Sequence, residues 1–486
     1  MADDKLIKAL QDIVGAKGVI SEKDRLEDYS HDEFSLPTIK NLPQVAVRPN
    51  NADDISKILK LANKENIPVT PRGGGTGLCG GCVPAKGGIL ILFDNLNKVL
   101  EVDKENLMVV VEAGVILKDL YACVEKEGLF FPPHPGDDTA TIGGVVATNA
   151  GGSRAVKHGT VRNFIRGLEV VLPQGDIINI GGKFIKNSTG FSLLHLLIGS
   201  EGTLGIITKA TISLVAPPKE TSTLVVPYNT IHDAIKTVPT IMKNNALPLA
   251  IEFIEADAIE LTEKFTGKDW PVKNANPVRH YSANGSASGV SNGTKEYLLI
   301  IVDGEKDEVE RISEAIADMC LKNNAKDVFV ADGKTKQKEI LEFRSQMYEA
   351  MKPNCIETLD IVVPISEVVN HVEVVHKIEK EHKIWLPTYG HAGDGNAHTH
   401  IMKFGFKDGR PDFSVKKDWQ QVYPVVRDLI HEDAKKRGGM VSGEHGIGLV
   451  KKEYLADFLD EKQIGFMKSI KGIVDPKGIL NPDKIF

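Results

Sequence analysis

The chain has 486 residues, too many for a single hydrophobic core, so we expect two or more domains. Apolar residues make up 42% and charged residues 26%, which is typical of a globular enzyme. Its 59 basic and 66 acidic residues are interspersed and give a formal net charge of −7, which argues against nucleic-acid binding. The acidic start resembles neither a secretion signal nor a transit peptide, and no apolar run approaches the roughly 18 residues of a membrane span.

The number of cysteines favours a reducing compartment. There are 5, and an odd number without a secretion signal favours the reducing cytoplasm. Cys79 and Cys82 are spaced as in redox and iron–sulfur motifs, but no second pair follows to complete a four-thiolate cluster. We therefore expect a cytoplasmic protein in which these two cysteines are small residues of a loop.

The first half of the chain alternates helix-like and strand-like patterns. Apolar residues at helical spacing predict helices over residues 53–66 and 117–127. Runs of apolar and β-branched residues predict strands over 88–93, 108–114 and 205–215, and a hairpin over 168–180 with its turn at 173–176.

Pro217 and Pro218 mark a domain boundary. Beyond them, strand-like and helix-like stretches alternate up to about residue 425, and the polar residues 267–294 are typical of a surface excursion. The remaining residues up to 486 have a helical pattern. We therefore expect three segments, at 1–217, 218–425 and 426–486.

Four loops of small residues occur in the first segment. In the loop of residues 71–77 the missing side chains expose successive backbone N–H groups, which bind anions such as phosphate. It is neither a P-loop nor the dinucleotide G-x-G-x-x-G motif. Residues 134–144, 147–152 and 199–205 form the other three loops, and together they indicate one extended ligand with the length of a flavin–adenine dinucleotide.

These four segments, in this order, resemble the FAD-binding domain of flavoproteins of the vanillyl-alcohol-oxidase (p-cresol methylhydroxylase, PCMH) type. From about residue 40 onward the chain resembles the 2-hydroxyacid branch, which includes D-lactate dehydrogenases, glycolate-oxidase FAD subunits and D-2-hydroxyglutarate dehydrogenases. The resemblance implies an α+β fold. It implies a PCMH-type FAD-binding domain over 1–217, an α+β substrate or cap domain over 218–425, and a helical segment over 426–486 that packs back on the FAD domain.

The resemblance also implies the contacts with FAD. Thr76 stands where covalent relatives carry a histidine, so we expect non-covalent FAD. The residues that the resemblance assigns to the cofactor are Pro71, Arg72, Gly73, Gly74, Gly75, Thr76 and Gly77 at the pyrophosphate, Pro135, Gly136, Thr139, Thr141, Gly143 and Gly144 near the isoalloxazine and ribityl chain, Asn149, Gly152 and Ser153 close by, and Glu201 and Ile206 near the adenosine half.

Two segments near the C-terminus, residues 389–400 and 442–446, combine histidines and a glutamate with tight glycine turns. Two imidazoles and a carboxylate leave coordination positions open, as in a catalytic metal site. The resemblance assigns His391, His398 and Glu444 to one divalent metal, and mixed nitrogen and oxygen ligands admit Fe, Zn, Mn or Co. The predicted strand over 397–402 puts His400 on the same face as His398. We interpret His400 as a packing residue, with a further metal ligand or a substrate contact as the alternatives.

The remaining candidates concern the substrate. His445, a neutral imidazole near neutral pH, is the candidate base for the hydroxyl proton, and the metal would acidify that hydroxyl while hydride passes from Cα to flavin N5. Arg344 takes the place of the family's carboxylate-binding arginine, and Tyr348 lies one helical turn further on. Thr358 and Leu359 precede Asp360, where relatives that act on 2-hydroxyglutarate carry a lysine, which favours a monocarboxylic substrate.

We therefore expect an FAD- and metal-dependent D-2-hydroxyacid dehydrogenase, in particular one that oxidises D-lactate to pyruvate. Glycolate and D-2-hydroxyglutarate are alternative substrates, and a metal-dependent hydrolase or a non-catalytic FAD-holding subunit is an alternative function. No second redox centre is visible, so electrons must leave to a partner. An electron-transferring flavoprotein is the first candidate and a quinone the second, and an oligomer is left open.

Overall fold

The computed structural model describes residues 3–34, 36, 38–244, 247–272, 279–281, 296–331 and 333–486. The chain forms two compact units. The first unit contains residues 1–151, 159–217 and 444–486, and the second contains residues 152–158 and 218–443. The chain passes from the first unit to the second after Pro217 and returns to the first after Gly443. Residues 273–278 and 282–295, which make up most of the expected surface excursion, lie outside the described residues.

The elements up to the proline boundary belong to the first unit, apart from the short helix α6. The strands are β1 (Val19–Ile20), β2 (Val45–Val47), β3 (Val69–Arg72), β4 (Ile89–Leu92), β5 (Val99–Asp103), β6 (Met108–Glu112), β7 (Ile165–Val171), β8 (Ile177–Gly181) and β9 (Ile206–Ser213). The helices are α1 (Asp4–Val14), α2 (Lys23–Glu27), α3 (Ala52–Glu65), α4 (Leu117–Lys126), α5 (Ile142–Thr148), α6 (Ala155–His158) and α7 (Leu193–Leu197).

Two sheets organise the first unit. Strands β2, β3 and β4 pair in parallel, and β1 adds an antiparallel edge, in the order β1-β2-β4-β3. The second sheet is antiparallel, in the order β5-β6-β9-β7-β8. The predicted strands over 88–93, 108–114 and 205–215 are confirmed as β4, β6 and β9, and the predicted hairpin is confirmed as β7 and β8.

Helix α3 shows why these residues fold as predicted. The Asn51 side chain accepts a hydrogen bond from the Asp54 amide and caps the helix start, and Asn66 ends the helix in the left-handed conformation. The apolar face predicted from the spacing, which includes Ile55 and Leu59, is completely buried in the core of the unit. Helix 53–66 is therefore confirmed within one residue at each end.

The second unit is built on one large sheet. Its strands are β10 (Glu220–Tyr228), β11 (Ala250–Glu255), β12 (Arg279–Tyr281), β13 (Glu296–Gly304), β14 (Val328–Ala331), β15 (Cys355–Val362), β16 (Thr388–His391), β17 (Asn396–Met402), β18 (Phe404–Lys407) and β19 (Arg410–Val415). Its helices are α8 (Ile231–Lys243), α9 (Ala256–Thr266), α10 (Lys306–Lys322), α11 (Lys334–Met351), α12 (Val368–His382) and α13 (Trp419–Lys436). The first unit resumes with α14 (Leu455–Phe458) and α15 (Glu461–Val474).

The eight-stranded sheet has the order β12-β14-β10-β13-β11-β16-β17-β15, and its pairs are antiparallel. Strands β18 and β19 form a separate hairpin. Among the helices of the described residues, none is both long enough and apolar enough to cross a membrane. The four neighbouring strands at one end of the sheet, β11, β16, β17 and β15, carry the candidate site of this unit.

Candidate active site

One face of the large sheet gathers the polar residues of four strands. Side chains on a strand alternate between faces, so residues paired across strands share a face. Glu252 pairs with His391, and Tyr389 pairs with His398. On the other side of β17, Asp360 pairs with His398, and Thr358 pairs with His400. The sheet register thus brings the predicted residues His391 and His398 together on one face.

The two candidate metal ligands of this unit are close and buried. The ring centroids of His391 and His398 lie 5.2 Å apart, and a ligand nitrogen of each lies within 4.8 Å of the other. Both side chains are more than nine-tenths buried. The turn between them needs Gly395, which has φ +90° and where a Cβ would collide with the Val363 carbonyl oxygen. A pair of imidazoles in this arrangement is a suitable half of a divalent-metal site.

Asp360 joins this histidine pair to the loop that leads to Glu444. Its buried carboxylate accepts hydrogen bonds from Asn396 Nδ2 at 2.9 Å, Ser442 Oγ at 2.7 Å and the Gly443 amide at 3.0 Å. One of its oxygens lies 3.7 Å from Nδ1 of His398. The carboxylate therefore fixes both the strand that carries His398 and the residue that directly precedes Glu444.

Arg344 forms a buried ion pair on the same face. Its Nε donates to Glu252 Oε2 at 2.6 Å, and its guanidinium lies 4.5 Å from the ring centre of Tyr389. The other oxygen of Glu252 lies 3.3 Å from Nδ1 of His391. Burial alone would raise the pKa of Glu252, but the Arg344 charge and the His391 ring outweigh it and lower the pKa to about 2. Glu252 is thus an anion held between the candidate substrate clamp and a candidate metal ligand.

Tyr348 and His400 border this cluster. His400 Nε2 lies 3.2 Å from the Tyr389 hydroxyl, and the two rings stack with centroids 4.7 Å apart. The half-buried Tyr348 ring lies 6.4 Å from the His400 ring. Burial, followed by the nearby His398, lowers the pKa of His400 to about 3, so His400 is neutral at physiological pH. These contacts support the packing role expected for His400.

In the first unit, two of the predicted cofactor loops lie side by side. A Cβ at Gly73 would collide with Thr141 Oγ1, and one at Gly74 would lie 3.2 Å from the Thr139 carbonyl oxygen. In the part of the chain that the structure describes, the amides of Gly74, Gly75 and Thr76 find no backbone acceptor. Glycine here permits the close approach of the loops and leaves N–H groups available for a phosphate, which fits a bound dinucleotide.

Arg72 lies behind this loop. Its guanidinium is buried and donates to the His31 carbonyl at 2.5 Å and to Cys82 Sγ at 3.2 Å. Gly75 has φ +78°, and a Cβ there would collide with Arg72 Nη2. The contacts of this guanidinium are therefore with protein atoms that shape the loop, so the amides, not this side chain, are the better candidates for a phosphate.

The other predicted cofactor residues are distributed over both units. Thr139 bonds to Asp137 in an exposed turn, and the Asn149 side chain accepts from Thr160 and the Arg162 amide. Pro135, Gly136, Gly143, Gly144 and the buried Ile206 lie in the first unit with Pro71 and Gly77, whereas Gly152 and Ser153 lie in the second.

Glu201 makes a contact that the sequence did not indicate. The resemblance placed this residue near the adenosine half of FAD. In the structure its buried carboxylate accepts from the amides of Ile447 and Gly448, each at 2.7 Å. Its carbonyl oxygen accepts from Asn481 Nδ2, also at 2.7 Å. Glu201 therefore holds the segment that follows Glu444 and His445.

Glu444 and His445 begin the last part of the first unit. A Cβ at Gly151 would lie 2.5 Å from Glu444 Oε2, so the glycine makes room for this carboxylate. Both Glu444 and His445 are half-buried. Positive φ values at Gly446 and Gly448 turn the chain immediately after them.

Sequence reasoning also missed Glu252. The available signal was an acidic residue within β11, a strand that otherwise reads as apolar up to its last residue. A charge in such a strand requires a partner, since burying it alone is costly. Its partner Arg344 lies 92 residues further along the chain, so only the fold reveals the pair.

Comparison with known families accounts for both units. Residues 43–181 match the model of an FAD binding domain, and residues 217–485 match that of the C-terminal domain of FAD linked oxidases. The chain belongs to the FAD-linked oxidase family. It is therefore an oxidoreductase with an FAD-binding domain, as expected from the glycine loops. A hydrolase in which those loops are plain turns does not account for the match.

Curated relatives span nearly the whole FAD-linked oxidase. A D-lactate dehydrogenase of Anaerostipes hadrus is 38% identical over 97% of this chain and 95% of its own length. A D-lactate dehydrogenase of Archaeoglobus fulgidus is 41% identical, with 91% of each chain covered. Glycolate oxidase subunit GlcD of Bacillus subtilis is 37% identical over 94% of this chain and 92% of its own.

Solved structures show the fold. p-Cresol methylhydroxylase superposes with a TM-score of 0.78 at 16% identity, covering 99% of this chain and 96% of its own. The 4-ethylphenol oxidase of Gulosibacter chungangensis gives a TM-score of 0.75 at 19% identity with the same coverage. The oxidase thus has the predicted α+β fold of the vanillyl-alcohol-oxidase and PCMH type.

Proposed function

We propose that this FAD-linked oxidase is a divalent-metal-dependent D-2-hydroxyacid dehydrogenase that converts D-lactate to pyruvate. The observation that carries the proposal is the buried group of Arg344, Glu252, His391 and His398 on one sheet face. An anion-binding guanidinium beside a pair of imidazoles suits a substrate that has a carboxylate next to a hydroxyl. The names of the relatives, two D-lactate dehydrogenases and a glycolate oxidase subunit, support this substrate class.

His391, His398 and Glu444 are the proposed metal ligands. Glu444 directly follows Gly443, whose amide bonds to Asp360, and successive Cα atoms lie only about 3.8 Å apart. The chain therefore keeps the carboxylate close to the turn that Asp360 fixes. Asn396 supports the same carboxylate and helps to orient the ligands, and Asp394 accepts from the Asn396 amide. A divalent metal held there would act as a Lewis acid on the substrate hydroxyl.

His445 is the proposed base. It follows Glu444 and would accept the hydroxyl proton as a neutral imidazole. Bound FAD would supply the acceptor for the hydride of the substrate Cα. Arg344 binds the substrate carboxylate, and Tyr348 lies on the same side of α11, one turn further on.

The predicted loop residues, from Pro71–Gly77 to Ile206, would hold FAD, with Arg72 shaping its loop from behind, and Thr76 in place of a histidine favours non-covalent binding. The backbone amides at Gly74–Thr76 are the proposed pyrophosphate ligands. The reduced cofactor would pass its electrons to a protein partner, for which an electron-transferring flavoprotein is the proposed acceptor. Thr358, the residue on the site face of β15 beside Asp360, is neutral, so a short monocarboxylate is favoured over D-2-hydroxyglutarate.

An anaerobic absorbance spectrum, recorded before and after D-lactate is added, tests the proposal. We expect the flavin band to bleach with D-lactate and, more slowly, with D-2-hydroxyglutarate. A His445→Ala variant that still binds FAD should bleach about 10²–10⁴ times more slowly, because the proton has no positioned acceptor. A flavin band that ignores all 2-hydroxy acids, or an unchanged rate in the variant, would contradict the proposed function.

A further inference from the structure

We propose that Glu252 is a positioning residue that orients the substrate clamp and the metal site together, one carboxylate oxygen on Arg344 and the other on His391. The inference rests on the proposed function of these two residues. It adds a residue that neither touches the substrate nor binds the metal, and it explains how a carboxylate clamp and a metal ligand keep a fixed relative position.

The location of Glu252 indicates a specific role. It lies in the middle of β11 with 5% of its surface exposed, between Ile251 and Phe253, which are 1% and 0% exposed. Transferring a carboxylate to such a place is unfavourable unless charge and hydrogen bonds compensate. Arg344 supplies the compensating charge at 2.6 Å, so the pair persists only while both members keep their places.

Two contacts fix the guanidinium of Arg344, one from Glu252 and one from Tyr389. Glu252 Oε2 accepts the hydrogen bond of Arg344 Nε, so a substrate carboxylate would have to bind to the Nη groups of Arg344. The Tyr389 ring, 4.5 Å from the guanidinium carbon, limits the plane in which the fork can lie. Without Glu252 the guanidinium would keep its charge but lose its fixed direction.

The contact with His391 acts on the metal ligand. Glu252 Oε1 lies 3.3 Å from Nδ1, the position of a carboxylate that favours the tautomer with its proton on Nδ1. The lone pair of the other ring nitrogen, Nε2, then remains for a metal. A carboxylate behind a ligating histidine commonly changes metal affinity by about 10–100-fold.

Glu255 offers a matched control on the same strand. It is also buried, its Oε1 meets His376 Nε2 at 2.6 Å, and its Oε2 accepts from the Thr388 amide. Because it is three residues from Glu252, it lies on the opposite sheet face and is remote from the clamp. Glu252→Gln and Glu255→Gln therefore both remove a buried charge from β11, but only Glu252→Gln alters contacts with Arg344 and His391.

The test compares the FAD-loaded wild type with Glu252→Gln and Glu255→Gln. Affinity for Co²⁺ is measured by competition with a chelator, the Co²⁺ absorption bands report ligand geometry, and KM for D-lactate is measured with an artificial electron acceptor. We expect Glu252→Gln to weaken Co²⁺ binding about 10–100-fold, shift the bands and raise KM at least tenfold. Glu255→Gln should leave all three readouts within about twofold of the wild type. Glu252→Asp, which keeps the charge on a shorter side chain, should recover part of the loss.

The outcomes separate this inference from the proposed function. A wild type that binds no Co²⁺ or does not oxidise D-lactate defeats the proposed function itself. A competent wild type with unchanged Co²⁺ affinity and KM in Glu252→Gln overturns the role of Glu252, as does an equal loss in Glu255→Gln. If Glu252→Gln does not fold, Glu252→Asp takes its place, and wild-type values in that variant overturn the inference.

Discussion

Replacing Glu201 by alanine removes the acceptor for two backbone amides at once. Both oxygens of this carboxylate are used, one by Ile447 and one by Gly448, and Gly448 is itself buried. An amide left without a partner in the interior costs about 1–3 kcal/mol, so we expect Glu201→Ala to lower the free energy of unfolding by roughly 2–6 kcal/mol. Glu201→Gln retains one oxygen acceptor, and we expect about half of that loss.

The same substitution should affect catalysis through the chain that it releases. His445 lies two residues before Ile447, so a loosened turn moves the proposed base away from the substrate. We expect kcat per bound flavin to fall at least tenfold in Glu201→Ala, since small displacements of catalytic groups reduce rates strongly.

Urea denaturation followed by circular dichroism measures the first effect, and flavin reduction per bound FAD measures the second. Glu125→Ala, on the exposed side of α4, is the control and should stay within about 0.5 kcal/mol of the wild type. A loss below about 0.5 kcal/mol in Glu201→Ala would mean that these two hydrogen bonds do not stabilise the folded state. Weaker FAD binding with an unchanged rate per bound flavin would instead support the adenosine contact that the family resemblance implied.

Three further predictions concern other parts of the two units. Gly75→Ala should lower FAD affinity, because the new Cβ collides with the Arg72 guanidinium behind the loop. Gly128→Ala, also at positive φ but in open space, is the control and should retain FAD. The flavin content after gel filtration measures both. Asp360→Asn should weaken metal binding and lower the free energy of unfolding by about 1–3 kcal/mol, because its NH2 group cannot accept a hydrogen bond from a buried donor. Competition with a chelator measures the first effect, and urea denaturation measures the second. Burial and the charge of Glu255 raise the pKa of Glu379 from 4.5 to about 8, so the folded state keeps a proton that the unfolded chain loses, and stability should fall as the pH rises from about 5 to 8. Thermal unfolding of Glu379→Gln should show a flatter dependence over this range, and an identical slope would contradict the assignment.

Local sequence patterns predicted well those elements whose formation depends mainly on residues close to them in the sequence. Helix α3 has a capping Asn51 and a periodic apolar face, and both features are readable without the fold. The same holds for the hairpin of β7 and β8. The glycine loops indicated a dinucleotide because their backbone chemistry is local, and the family models confirm an FAD-binding domain.

Contacts between distant segments could not be read in this way. Glu252 and Arg344 are separated by 92 residues, and Glu201 is 246 residues from Ile447. Arg72 belongs to a loop whose sequence indicates phosphate binding, yet its guanidinium contacts protein atoms behind that loop. This position, against Gly75, is visible only in the folded structure. The division of residues 426–486 at Gly443 has the same origin, since helical patterns do not show which core a helix joins.

In the proposed function, oxidation of the 2-hydroxy acid needs a divalent metal held by His391, His398 and Glu444. The most direct measurement is the anaerobic single-turnover rate of flavin reduction by D-lactate, in FAD-loaded protein stripped of metal by a chelator and then given back Fe²⁺, Zn²⁺, Mn²⁺ or Co²⁺. We predict that stripping reduces the rate at least 100-fold, because the hydroxyl loses its Lewis acid, and that one equivalent of a suitable metal restores it. A metal-free protein that reduces its flavin with D-lactate at the undiminished rate would show that the reaction needs no metal, contrary to the proposed function.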